Sequence, residues 1–172
     1  LELDSATVLE LDPDDVVSTQ VIGFTADDAA LYVVTPAGAN AAGLVQLTPG
    51  SPPETLADDP TYDVAGAQLH PVARTVEIVS FLRARLEHEV LDPALAPDVE
   101  AMTALHPGDP LFISRDHADR TWTLAFTADD GPVSYYAFDR ASREGRFLFT
   151  QHDDLAPYRL SAMEPFSFSA RD

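Results

Sequence analysis

LAFTADDGPVSYYAFDRASREGRFLF, residues 124–149, decides the fold, because three β-rich runs within it are cut by two turns. The first run starts a little earlier, at residues 121–127 (TWTLAFT). There Trp122, Leu124 and Phe126 alternate with Thr121, Thr123 and Ala125, the period of two expected of a strand with unlike faces. Asp129-Asp130-Gly131-Pro132 is a turn, since Gly accepts positive φ and Pro presets φ. Residues 133–138 (VSYYAF) form the next strand, 139–145 turn again, and 146–150 (RFLFT) complete the set. Upstream, 110–114 (PLFIS) and the charged turn 115–120 (RDHADR) add a fourth strand in front.

The same rhythm runs back to the start of the chain. Strands are predicted over residues 19–25 (TQVIGFT) and 30–35 (ALYVVT), turned by Asp27-Asp28, then over 44–47 and, at an edge, 54–57. Pro49-Gly50-Ser51-Pro52-Pro53 separates the last two. A second group has strands at 64–69 and 75–82 (TVEIVSFL), with Val90-Leu91 belonging to a third. Residues 97–105 break the pattern and predict a short helix. Pro97 suits the first turn, Asp98 and Glu100 suit the positive N-terminal end, and Pro107-Gly108 ends it. Val99, Met102 and Leu105 share one face. Three cycles of three or four strands, each about 40 to 50 residues, predict an all-β fold. The architecture expected is a partial β-propeller of about three antiparallel blades with one short helical insertion, over residues 1–160, and an exit segment over 161–172.

Composition narrows the function. The chain has 172 residues, 45% hydrophobic and 23% charged, enough for a proper core. Asp and Glu number 29 against 10 Lys plus Arg, all of them Arg, for a formal net charge of −19. Such a surface repels phosphate backbones and anionic lipid, so neither nucleic acid nor a membrane surface is an expected partner. The absence of cysteine removes disulfides, thiol catalysis and thiolate-bound zinc. The opening LELDSATVLELDPDD lacks the basic start and apolar run of a signal peptide, and no apolar stretch approaches the ~20 residues that span a bilayer. A cytoplasmic location is expected.

With these residues in place, a resemblance emerges. Residues 124–149 look like the last propeller blade of the prolyl oligopeptidase family of serine peptidases, in its acylaminoacyl-peptidase and dipeptidyl-peptidase-like branch. Tyr135-Tyr136, Asp139-Arg140 and Phe147-Leu148-Phe149 follow that blade's order. MEPFSFSARD (163–172) resembles the crossover from propeller to α/β-hydrolase domain, and FTADDAALYVV (24–34) resembles the recurring strand–Asp turn–strand repeat, with Asp28 where a Gly is common. The resemblance implies that the chain is the propeller part of a larger protein, whose α/β-hydrolase domain is its partner and whose substrates are short peptides. It implies no catalytic residue here. The family's Ser sits on a G-x-S-x-G elbow that this chain lacks, with its Asp and His further on. The family's propeller has about seven or eight blades, against about three here.

The remaining candidates have duller readings. Ser114, His117 and Asp116 or Asp119 hold the residue types of a triad, but triads are defined by geometry and sequence neighbours rarely make one. His70, His88, His106, His117 and His152 form no H-E-x-x-H or i, i+4 helical pair, so no metal is expected. The pairs Asp14-Asp15, Asp27-Asp28, Asp58-Asp59, Asp129-Asp130 and Asp153-Asp154 lack calcium-loop spacing and suit tight turns, where Asp accepts backbone N–H bonds. Trp122 and the neighbouring aromatics read as core between blades. Arg83 and Arg85, alternating out of the strand 75–82, are the candidates for binding a substrate terminus. No cofactor is implied.

Two further readings differ in class from the peptidase one. A stand-alone propeller or sandwich could present its loops to a ligand. Alternatively, open blade edges could pair two copies into a homodimer, because unpaired edges are normally closed or covered.

Overall fold

The computed structural model describes residues 7–155, 157, 158 and 160–169, and the chain divides into two compact units, Leu1–Ala96 and Pro97–Asp172. The all-β expectation holds. Eleven described strands form three antiparallel sheets, accompanied by one short α-helix. Each sheet is an up-and-down meander in which strands consecutive in sequence are neighbours in space.

The first unit holds two sheets. β1 (Gln20–Phe24), β2 (Leu31–Thr35), β3 (Gly43–Leu47) and β4 (Glu54–Ala57) form one, and β5 (Val64–Leu69), β6 (Val76–Leu82) and β7 (Leu86–Val90) form the other. Alternation sends Tyr32 and Val34 of β2 and Val79 and Phe81 of β6 into one apolar cluster with Ala42, Leu44, Ala57 and Val64. Each large side chain buried this way stabilises the unit by roughly 1.5–3 kcal/mol. The backbone reinforces the junction: Val64 N–H donates to the Ala42 carbonyl at 2.8 Å, and Ala42 N–H donates to the Asp63 carboxylate at 2.7 Å.

The sequence assigned Val90-Leu91 to the third strand of this second sheet; Val90 is its last residue, Leu91 lies just outside it, and the strand reaches further back than expected. The strand is β7, Leu86–Val90, paired with β6 through Leu82↔Leu86, Ser80↔His88 and Ile78↔Val90. LEHEV carries three titratable residues in five, so its hydropathy hides it. The charges suit a strand at a sheet edge, where Glu87 and Glu89 stay in solvent and discourage further pairing.

The second unit holds α1 (Ala96–Ala104) and a four-stranded sheet, β8 (Asp109–Arg115), β9 (Thr121–Thr127), β10 (Ser134–Asp139) and β11 (Glu144–Thr150). Trp122, Leu124, Phe126 and Phe138 are wholly buried on one face. Phe112 lies edge-on to Trp122 at 5.1 Å, Tyr136 edge-on to Phe126 at 5.4 Å, and the His106 ring tilts against both Phe126 and Tyr136. Val99 and Met102 of α1 are buried as the helical spacing predicted. Gly108, with φ +108°, leads into β8 where a Cβ would stand 2.5 Å from the Thr127 carbonyl oxygen, so only glycine fits. Beyond β11, Met163 N–H donates to the Asp129 carboxylate at 2.9 Å, and Phe166 and Phe168 are exposed and stacked on each other. Ala170-Arg171-Asp172, the end of the stretch read from sequence as an exit segment, and the first six residues lie outside the described residues.

One turn occurs twice. Between β1 and β2, Thr25 N–H donates to Ala30 O, Asp28 N–H to Thr25 O, Ala30 N–H to the Thr25 hydroxyl, and Asp28 has φ +56°. Between β8 and β9, Asp116 N–H donates to Thr121 O, Asp119 N–H to Asp116 O, Thr121 N–H to the Asp116 carboxylate, and Asp119 has φ +51°. Asp is one of the few side chains that tolerates the left-handed region.

Candidate functional site at the Arg83 turn

Arg83 and Arg85 sit in the two-strand turn between β6 and β7, closed by Arg83 N–H donating to the Arg85 carbonyl at 3.0 Å. The Arg83 guanidinium is shared between two carboxylates. Nε and Nη2 donate to Asp59 Oδ2 at 3.2 and 2.9 Å, and Nη1 donates to Glu87 four residues on. Its carbon lies 4.9 Å from the centre of the Phe81 ring, a cation–π distance. These hydrogen bonds, to Asp59 first and to Glu87, raise the arginine's pKa further. Arg85 is exposed.

Asp59 does three things at once. Oδ1 accepts from Thr61 N–H at 2.9 Å and Tyr62 N–H at 3.0 Å, and Oδ2 takes Arg83. The Thr61 N–H bond, then Arg83 and Tyr62, hold its pKa below the ordinary value. Asn40 Nδ2 donates to Pro60 O at 3.2 Å. The connection from β4 to β5 is thereby tied to its neighbours, and beside it opens a depression of about 320 Å³ lined by Thr35, Asn40, Gly43, Asp58 and Asp59 among others. Small residues make its walls, and carboxylates give it negative character. This geometry can steer a cation or hold two turns together; Arg83 would meet an anion only with the donor hydrogens its two carboxylates leave.

The charged turn RDHADR is not solvated filler. Asp119 is 8% exposed. Arg115, whose side chain is 4% exposed, grips it with Nε to Oδ1 at 2.8 Å and Nη2 to Oδ2 at 2.6 Å, the two-pronged geometry that suits guanidinium to carboxylate. Trp122 Nε1–H donates to Oδ1 at 3.0 Å, and Arg140 reaches both the Asp119 carboxylate and its carbonyl. Arg140 and Arg143 also bind the buried Asp98 at the start of α1, at 2.9 Å each from Nε. The centre of the Trp122 ring lies 5.2 Å from the Arg115 guanidinium carbon and 5.0 Å from that of Arg140. Burial pushes the Asp119 pKa up, but Arg115, Trp122 and Arg140 outweigh it and the net shift is downward. Ion pairs, an indole N–H and the rings packed on Trp122 make this a structural cage. The sequence missed it because its parts come from residues 98, 115–122 and 140–143.

The other sequence candidates fall as follows. Ser114 and His117 are exposed, and Asp116 accepts Arg120 N–H and Thr121 N–H, so the three are not assembled around one point. His70 Nδ1 accepts from Val72 N–H and Ala73 N–H. Asp27 and Asp139 likewise accept turn N–H groups, from Ala29 and Ser142. One nucleophile–base contact was unforeseen: Ser80 Oγ lies 2.8 Å from His88 Nδ1 across the β6–β7 ladder. Both face a paired position in the sheet, so it is a cross-strand polar pair. Among the described residues no group of three or more His, Asp or Glu side chains is placed to hold a metal, and no helix is long and apolar enough to cross a membrane.

Comparison with known proteins gives one match of weight. Over 160 residues, 92% of this chain, the sequence is 33% identical to dipeptidyl aminopeptidase BIII of Pseudoxanthomonas mexicana. The match takes up 23% of that enzyme, so the chain is similar to a part of a peptidase and spans less than a quarter of its length. No protein-family model matches the chain, and no solved structure does.

Proposed function

We propose that this chain is a non-catalytic β domain of a serine peptidase of the prolyl oligopeptidase family, with its three sheets as propeller blades. In this reading it covers the active site of an α/β-hydrolase domain, limits access to short peptides and lines the cavity between the two. Acyl transfer by a Ser-His-Asp triad takes place in the hydrolase domain. The carrying observation is the 33% identity over nearly the whole chain to a stretch that is 23% of a dipeptidyl aminopeptidase. Pockets between domains are where small ligands most often bind. Arg83 and Arg85, side by side in one turn, are the residues proposed to reach the substrate. Residues 161–172 are proposed as the passage to the hydrolase, and the whole protein as cytoplasmic.

Reading the gene on both sides of this segment tests the proposal. It expects an open frame that continues into hydrolase strands with a G-x-S-x-G elbow. A complete gene that encodes no such elbow would overturn it.

A further inference from the structure

The connection between β5 and β6, residues 70–75 (HPVART), closes like the two related turns above but carries a different cap. In all three the first residue's N–H donates to the sixth residue's carbonyl: Thr25 to Ala30, Asp116 to Thr121, and His70 to Thr75 at 2.9 Å. Here the left-handed residue comes one place later, at Arg74 with φ +52°, and its N–H donates to the His70 carbonyl. In each turn the first side chain accepts backbone N–H groups. Thr25 offers a hydroxyl to Ala30 at 3.1 Å, and Asp116 offers a carboxylate to Arg120 and Thr121 at 2.6 and 2.7 Å. His70 offers Nδ1, to Val72 N–H at 3.1 Å and Ala73 N–H at 2.9 Å.

Backbone N–H groups only donate, so Nδ1 must present its lone pair. That assigns His70 the neutral ring with its proton on Nε2. A second proton has to go to Nδ1, where it would point at two N–H groups and leave both without an acceptor. The other caps do not meet this conflict. A hydroxyl keeps its lone pairs, and the Thr121 N–H bond holds the Asp116 pKa below its ordinary value, so that carboxylate stays charged near neutrality. An imidazole is the one cap of the three whose charge ordinarily changes between about pH 5 and 8.

The surroundings of the ring do not favour a cation. Among the described residues no carboxylate is paired with it. β5 and β1 carry no titratable side chain. β6 contributes Glu77, which is buried, and the Asp92 carboxylate beyond it is taken up by Ala94 N–H. Arg74, in the turn itself, is a cation. A Cβ at Gly23 of β1 would stand 3.0 Å from Leu69 Cδ1 and 3.7 Å from Arg74 Nη2, so the guanidinium lies against β1 where that strand lacks a side chain. We infer that the β5–β6 turn is a proton-operated latch, closed while His70 is neutral and opened, with release of Arg74 from β1, when the imidazole is protonated.

NMR of the 15N-labelled 172-residue chain between about pH 8 and 5.5 tests it. At the upper end a long-range 15N–1H spectrum should show His70 as the Nε2–H tautomer. On acidification the Val72 and Ala73 amides should lose their hydrogen-bonded positions with the midpoint of the ring, and the Gly23 amide should follow. The amides of Ala29 and Arg120, held by the Asp27 and Asp116 carboxylates, should stay where they are. His70→Asp gives this turn the cap that Asp116 gives its own, and should abolish the change at all three reporters. His70→Ala should leave Val72 and Ala73 in the released position at every pH. An Nδ1–H tautomer at the upper end would overturn the inference, as would the same pH course in His70→Asp. A Gly23 amide that stays still while Val72 and Ala73 move would also overturn it, since Arg74 would then remain on β1.

Discussion

The β1–β2 turn and the β8–β9 turn share one backbone and differ in what they do with the same aspartate. Asp28 and Asp119 hold the same place in the two turns, with φ of +56° and +51°. Phe24 precedes the first turn where Arg115 precedes the second, and Leu31 follows where Trp122 follows. With an apolar residue at that first place, Asp28 stays in solvent. With Arg115 there, Asp119 turns inward and nucleates a cage around Trp122. The backbone requires only a residue that tolerates positive φ. The neighbour in the strand decides whether that residue is surface or core. The units differ accordingly: the first is held by an apolar contact between two sheets, the second by rings and ion pairs on one face of a single sheet.

The largest expected break in that comparison is Asp119→Ala. It removes the two-pronged carboxylate partner of the buried Arg115 and leaves the Trp122 N–H without its acceptor. Loss of one partner of a buried pair costs about 3–5 kcal/mol. Asp28→Gly, which keeps the backbone freedom and removes an exposed carboxylate, should change stability by less than about 0.5 kcal/mol. Urea unfolding measures both. Equal losses would mean the two turns do the same work after all.

Next comes Gly145→Ala. A Cβ there would collide with the Leu105 side chain, so that side chain must repack against β11, at a cost of about 1–3 kcal/mol. The loss should appear in unfolding of the second unit. Gly38→Ala tests a glycine with open space around it but φ +78°, where only backbone strain, about 1–2 kcal/mol, is at stake.

Acid should expose the contribution of Asp119. Asp119 has a folded pKa below its ordinary value of 3.8. It therefore contributes stability that is fully present above about pH 4 and is lost as pH falls through the lowered folded value. The formal charge of −19 acts the other way, since partial neutralisation on moving from pH 7 towards 5 relieves self-repulsion. A stability maximum on the acid side of neutrality is expected, followed by a steep fall. In Asp119→Asn the fall should be shallower. Thermal midpoints between pH 2 and 8 check this.

The smallest effect belongs to Arg83→Ala. Arg83 and its partner Glu87 are partly exposed, so solvent screens the pair and the stability loss should be small. If the longer protein is the peptidase proposed above and Arg83 meets its substrate, the same substitution should raise KM for short peptides and leave kcat near its original value; an unchanged KM would reduce the residue to a tie between turns.

Much of this fold was legible from alternation and turn chemistry. Residues 121–127 and 75–82 announced strands because β-branched and aromatic residues recur every second place, and Pro97 and Pro107-Gly108 bracketed α1. Only the end of β7, Val90, was legible, because Leu86–Val90 is an edge strand whose charges mask its one-sided pairing. The cage was half visible. Asp28 stands where a Gly is common, which signals positive φ, and the same offset leads to Asp119. Nothing local could reveal that Arg140, 21 residues away, completes it. The Arg83–Asp59 pair spans 24 residues and was hidden for the same reason. Sequence periodicity reports local geometry, whereas ion pairs across connections depend on how elements meet.

The most direct test of the central claim sets the 172-residue chain beside the full gene product. Both are treated with a fluorophosphonate probe that labels activated serines and are assayed on a fluorogenic peptide with a free N-terminus. The account predicts that the long protein is labelled and cleaves the peptide, while the 172-residue chain does neither. Labelling and turnover by the short chain, abolished by Ser80→Ala or Ser114→Ala, would contradict it.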